Sequence, residues 1–217
     1  MAKKILVVNP NSNPAVTEGF SEAVEPLRVA GGPLIECVTL ESGPFGVETQ
    51  QDVDSVILPL RDLMLSRQDA DAFVIACYSD PGLATCREAV DKPVFGIQES
   101  GLFTALQKGE RAGVIALSPR SIARHLPYVR RMGVESRLAA ERPLHLSVEA
   151  AERDEAFGRV LEVATELREM DFADTLVLGC AGMARHRQKL EKAVGLPVTD
   201  PTQAAVGQAL GAVLLTP

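Results

Sequence analysis

The chain has 217 residues, 46% hydrophobic and 24% charged, with a formal net charge of -7, the make-up of a globular chain with one large or two small domains. It has no long Lys/Arg cluster of the kind that phosphate backbones require, and no apolar run near the roughly 20 residues of a bilayer span, so neither nucleic acid nor a membrane is an expected partner. Its 4 cysteines are widely spaced, with no CxxC pair and no N-terminal apolar signal region, which points to a reducing cytoplasm rather than a secreted disulfide scaffold. The expected partner is a small molecule or another protein, and the expected assembly a homo-oligomer.

In chain order, strand and helix signals alternate. "KKILVVNP" is a β-branched run, followed by a helix over "NSNPAVTEGFSEAVEPL" in which Asn13 caps and Pro14 takes the first position. "LIECVTL" reads as a strand, "VETQQDVDSVILPLRDLMLSR" as one amphipathic helix, and "ADAFVIAC" as a buried strand, after which Asp80-Pro81 opens the helix "PGLATCREAV". "KPVFGI", "RAGVIALS", "DTLVLGC" and "GLPVTD" follow, each short, apolar and closed by a turn signal. Such runs fit parallel sheets buried by helices on both faces.

The chain also resembles itself. "ILVVNPNS" matches "VIALSPRS" with Pro10 on Pro119, a shift of 119 − 10 = 109; "FVIAC" matches "LVLGC" at 180 − 77 = 103; "KPVFGIQESGLFTAL" matches "LPVTDPTQAAVGQAL" at 197 − 93 = 104. Three matches in one order at nearly one shift imply an α/β unit used twice. The expected fold is two pseudo-symmetric α/β domains, residues 1–97 and 98–202, with a C-terminal helix over about 203–217 packing back on the first.

The repeat singles out Cys77 and Cys180, each at the carboxyl end of a strand, where open α/β sheets bind ligands. Each precedes a helix signal: Asp80-Pro81 for the first, "MARHRQKLEKAV" after the Ala181-Gly182 turn for the second. A helix start favours anions and can bring a thiol below its usual pKa of ~8.5. Two thiols facing each other across a cleft make an acid–base pair that can take a proton from one face of a carbon and return one to the other. Most free cysteines are small core hydrophobes, and Cys37 within its strand and Cys86 beside Leu83 and Val90 are read that way.

"NPNSNPAVT", "GPFGVE", "ACYSDPGL", "KPVFGI" and "LGCAGM" together resemble the aspartate/glutamate racemase superfamily, in particular its hydantoin racemase branch, from Ile5 to about Ala209. The resemblance implies a site between two pseudo-symmetric domains, no cofactor and no metal, and opposed cysteine bases at Cys77 and Cys180. Amino-acid racemases resemble Cys-Asn-Thr and Cys-Thr at these places, where this chain has Tyr78-Ser79 and Ala181-Gly182, a set better suited to a neutral ring than to a zwitterion. Arylmalonate decarboxylases work with one cysteine. Where hydantoin racemases resemble Gly-Pro-x-Ser-Ile-Glu, this chain reads Gly43-Pro44-Phe45-Gly46-Val47-Glu48, losing a serine and gaining Phe45 beside the expected ring substituent.

Among strand-end polar residues, Asn9 and Asn11 are candidates for the ligand, with Ser12 close by and Ser118 as the counterpart of Asn9 under the Pro10/Pro119 match; capping and turn formation are the competing roles. Tyr78, Ser79, Ala181 and Gly182 are expected around the substrate. His125, His145 and His186 show no metal-ligand spacing and read as solvated, as does the helix end "RHLPYVRRMG". The expected reaction is C5 inversion of a hydantoin. Allantoin racemisation, another reaction of the superfamily such as that of a maleate isomerase, and a metabolite-binding regulator remain open.

Overall fold

The computed structural model, which describes residues 3–215, turns each of these apolar runs into a strand. The first half runs β1 (Lys4–Asn9), α1 (Pro14–Ala23), β2 (Leu34–Thr39), α2 (Gln50–Ser55), α3 (Ile57–Ser66), β3 (Ala72–Ile75), α4 (Leu83–Ala89) and β4 (Val94–Gly96). After α5 (Ile97–Leu106) the second half repeats it: β5 (Ala112–Ala116), α6 (Pro119–Arg131), β6 (Leu138–Pro143), α7 (Val148–Glu152), α8 (Phe157–Glu169), β7 (Thr175–Leu178), α9 (Arg187–Val194) and β8 (Val198–Thr199), closed by α10 (Pro201–Leu215). The strands form two parallel four-stranded sheets of equivalent order, β2-β1-β3-β4 and β6-β5-β7-β8.

Burial on both faces explains the uninterrupted apolar strands. In β1, Ile5 and Val7 belong to the large core shared with the second half, whereas Leu6 and Val8 turn to a smaller core under α2, α3 and α4, as the two-residue side-chain period requires. The connecting helices cross over: α5 follows the first sheet but packs on β7 and β8, while α10 follows the second and packs on β1, β3 and β4, and the two helices lie against each other. The expected C-terminal helix therefore covers the first sheet; its residues 216–217 lie outside the described residues.

The pairing registers revise one repeat match. The Ala76 amide donates to the Val8 carbonyl, and the Gly179 amide to that of Ile115, so Val8 is equivalent to Ile115, a shift of 115 − 8 = 107. Asn13 and Ser118 are the N-caps of α1 and α6, each followed by proline, which places Pro14, not Pro10, opposite Pro119 at 119 − 14 = 105. The β1–α1 loop is thus two residues longer than its partner, and Asn9 corresponds to Ala116 rather than to Ser118.

Three further expectations change. The single helix over 47–67 breaks at Val56, because the Pro59 ring has no N–H and meets the carbonyl four residues back. The strand β6, not foreseen, lies at a sheet edge and is half-buried along its length; its sequence "LAAERP" therefore lacks a continuous apolar run. Asp80 does not cap α4, whose N-cap is the left-handed Gly82. Its buried carboxylate instead accepts the Gln98 and Glu99 amides, each at 2.9 Å, at the start of α5.

Candidate active site

A cavity of about 430 Å³ opens between the carboxyl ends of the two sheets, where the topology of parallel α/β sheets places ligands. Its walls come from equivalent loops of both halves. Asn11 and Val16 follow β1, Val47, Glu48 and Thr49 precede α2, and Cys77, Tyr78 and Ser79 follow β3; the second half supplies Arg120, Ser121, Arg124 and His125 from α6 with its cap Ser118, Leu146 and Val148 after β6, and Cys180 and Ala181 after β7.

Both cysteines line this one cavity. The chain reaches them through tight turns. After β3, the Asp80 amide donates to the Cys77 carbonyl, and Asp80 and Gly82 take the left-handed region at φ 42° and 67°. The Asp80 carboxylate then rests on Gly96, where any Cβ would come within 2.3 Å of it. After β7, Cys180 enters a 3₁₀ turn over Ala181–His186 ahead of α9, with Met183 fully buried under it.

Neither thiol is lowered by a helix start. Burial pushes Cys77 up to about 11, against the Ser79 amide and the Arg124 charge that favour its thiolate; nearby Asp80 adds to the rise. Burial pushes Cys180 up to about 12, opposed by the Gly182 amide and reinforced by Cys77, Glu48 and Glu152. The 3₁₀ turn offers the second thiol one amide rather than an α-helical terminus, and desolvation outweighs it. Cys86 is fully buried in α4 and Cys37 lies partly buried in β2, both away from the cavity.

The sequence-derived candidates divide. Cys77, Tyr78, Ser79, Ser118, Cys180 and Ala181 share the cavity wall. Asn9 does not: it is fully buried, and its amide nitrogen donates to Asn11 Oδ1, the Asn13 carbonyl and Thr17 Oγ1, so it holds the long β1–α1 loop while Asn11 meets the cavity. Phe45 is 57% exposed and outside the wall. Its neighbours Val47, Glu48 and Thr49 line it instead, Glu48 being fixed by the Val148 amide at 2.8 Å. Gly182 lies behind the wall and reaches the site only through its amide on the Cys180 sulfur. Ser118 Oγ is taken by the Ser121 amide as the α6 cap.

The profile of the family described as Asp/Glu/Hydantoin racemase matches residues 5–209. The chain belongs to this family. Hydantoin racemase of Paenarthrobacter aurescens is 35% identical over 93% of this chain and 87% of its own length, and that of a Pseudomonas species 34% identical over 94% and 83%. Among solved structures, allantoin racemase from Klebsiella pneumoniae superposes with a TM-score of 0.93 at 29% identity, over 99% of this chain and 89% of that one. The protein is accordingly an isomerase, a racemase, and the two-sheet fold is that of its family.

What the family resemblance and strand-end reasoning missed is the α6 wall. Ser121, Arg124 and His125 sit at i, i+3 and i+4 and so share one helix face. The sequence reads Arg124 and His125 as part of a solvated helix end, yet Ser121 and His125 are buried, and His125 Nδ1 pairs with the buried Glu141 carboxylate at 2.8 Å and meets Tyr78 edge-on. His186 is buried too, its Nε2 within 3.1 Å of the Ala151 carbonyl oxygen, while His145 is exposed. The polar face meets a cavity and a buried carboxylate instead of water, a distinction periodicity does not carry. Among the described residues no group of three or more His, Cys, Asp or Glu could hold a metal.

Proposed function

We propose that this racemase inverts C5 of 5-substituted hydantoins by two-base proton transfer between Cys77 and Cys180, without a cofactor. The observation that carries the reading is that the two thiols leave equivalent strands of the two halves and line a single cavity. A thiolate on one side takes the C5 proton; the electron pair moves onto the C4 carbonyl oxygen, and the thiol on the other side protonates the opposite face. Each turnover leaves the two sulfurs with exchanged protonation.

The raised thiol pKa values bear on this chemistry. Burial keeps the ionised fraction low at neutral pH, but it also makes the thiolate that does form a stronger base towards a weak carbon acid. In this reading the loop amides around Ser79 and Ala181-Gly182 hold the ring oxygens, where negative charge develops. The apolar wall of Val47, Leu117, Leu146 and Val148 accepts a compact ring and excludes the water that would weaken those contacts.

Allantoin, a hydantoin with a ureido substituent, is the second reading, favoured by the TM-score of 0.93 to an allantoin racemase. Single enantiomers of 5-alkyl hydantoins, allantoin and glutamate, incubated in deuterated water, separate the possibilities. The expected result is loss of optical activity with deuterium entering C5 of the hydantoins. Inversion of allantoin alone selects the second reading, and inversion of glutamate alone would falsify the ring-substrate assignment.

A further inference from the structure

The wall built by α6 carries two arginines that make no hydrogen bond or ion pair among the described residues. Every other arginine of the chain makes a hydrogen bond, an ion pair or an aromatic contact. Arg120 and Arg124 both line the cavity, four residues apart on one helix face, and no bond or ion pair engages either among the described residues. Arg124 is half-buried and its Nε is buried without an acceptor. In a chain with 29 acidic residues, leaving a partly buried guanidinium unpaired costs solvation that a nearby carboxylate would offset.

The acids near it are engaged elsewhere. Asp52 accepts the Glu48 and Thr49 amides in the capping box of α2, and Glu48, on the same cavity wall, binds the Val148 amide. The serines beside the arginines are occupied by each other: Ser121 Oγ donates to the Ser118 carbonyl, and Ser118 Oγ accepts the Ser121 amide. On the α6 side of the cavity the groups left without a partner are therefore the two guanidinium groups, while the Glu48 carboxylate on the opposite wall is held by the Val148 amide and lies near Cys180.

We infer that Arg124, with Arg120 beside it, selects substrates whose ring substituent carries a carboxylate, so that the preferred hydantoins are those of acidic side chains. This inference rests on the proposed hydantoin racemisation and names its substrate class. A planar guanidinium fork binds a carboxylate in a fixed geometry that a neutral amide does not reproduce. The apolar wall would take the methylene stem, and C5 would be left between the thiols.

The test compares kcat/KM for 5-(carboxyethyl)hydantoin with that for its primary amide, which has nearly the same shape without the charge, in the native protein, Arg124→Gln and Arg124→Lys. The native protein should prefer the carboxylate by about 10- to 100-fold, the range of a hydrogen bond to a charged group. Arg124→Gln should bring that ratio near one, and Arg124→Lys, which keeps the charge and loses the fork, should retain part of it. A native ratio near one, or an Arg124→Gln loss equal for both substrates, overturns the inference, since a residue serving only Cys77 or the fold affects both alike. Calorimetric binding of the same pair reads the selectivity without turnover. Selective binding of the carboxylate with neither compound inverted keeps the role of Arg124 and sinks the reaction assignment instead.

Discussion

Cys77 and Cys180 leave equivalent strands, yet a buried carboxylate ties down the loop after the first and apolar packing ties down the loop after the second. At the shift that relates the cysteines, 180 − 77 = 183 − 80 = 103, Asp80 corresponds to Met183. Asp80 reaches across to the first amides of α5; Met183 is wholly buried among its neighbours. Charged neighbours oppose both thiolates, Asp80 at Cys77 and Glu48 with Glu152 at Cys180, and only Cys77 also has a cation, Arg124, that favours its thiolate. Two-base chemistry requires both thiols to meet one carbon, so strand topology has to be shared, whereas the anchor behind each loop is free to diverge. Burial raises both thiols, and Cys77 is itself among the groups that raise Cys180. Enantiomers have equal energy in water, so kcat/KM must match in the two directions, and the asymmetry falls on kcat and KM separately.

The strongest way to break the comparison is to remove one thiol at a time. Cys77→Ala and Cys180→Ala should each lower racemisation by about 10³-fold or more, because inversion needs an acid and a base on opposite faces. Each variant should still exchange the C5 hydrogen of one enantiomer with deuterium, and the two should prefer opposite enantiomers in an NMR assay. Near-native racemisation by either variant, or a shared preference, rules out opposed bases.

The anchors come next. Met183→Ala opens a void under the Cys180 loop and should cost about 2–4 kcal/mol in denaturant unfolding. Asp80→Asn sets an amide donor against one of the two α5 amides and should cost about 1–3 kcal/mol. A larger loss for Asp80→Asn than for Met183→Ala would mean that the polar tether, not apolar packing, is the firmer support.

Electrostatic differences should be smaller and depend on pH. Because the Cys77 and Cys180 thiols are held up near 11 and 12, the thiolate fraction rises with pH throughout the range below them. Iodoacetamide labelling of each, followed by peptide mass spectrometry, should accelerate about tenfold per unit between pH 8 and 10, with Cys77 ahead of Cys180. A plateau below pH 9 would show that the helix-start effect wins over burial after all. Removing a negative neighbour through Glu48→Gln should speed labelling of Cys180 about two- to fivefold and that of Cys77 less.

Much of this was legible in the sequence because it is local or repeated. Buried parallel strands need unbroken β-branched runs and announce themselves; of the two equivalent, half-buried edge strands, β2 keeps the β-branched "LIECVT" and is legible, whereas β6 has only "LAAERP" to show. The cysteine pair was legible because "FVIAC" and "LVLGC" place it at the same point of the same unit. The sequence favours Asn9 over Asn11 as the ligand-facing residue, and the structure reverses them, because only the loop geometry decides which polar strand-end residue turns inward to hold the chain.

By itself, then, the sequence determined the two α/β units, the strand-end position of both thiols and the family to which the chain belongs, all of which follow from periodicity and from motifs contiguous in the chain. The tertiary structure alone decided that α6 turns a polar face to the cavity, that Asp80 caps a helix 17 residues further on, and that desolvation outweighs the backbone amides at each thiol. These depend on which surfaces meet across the two halves, and the free energy of a charged or polar group depends on what surrounds it in space rather than on its neighbours in the chain.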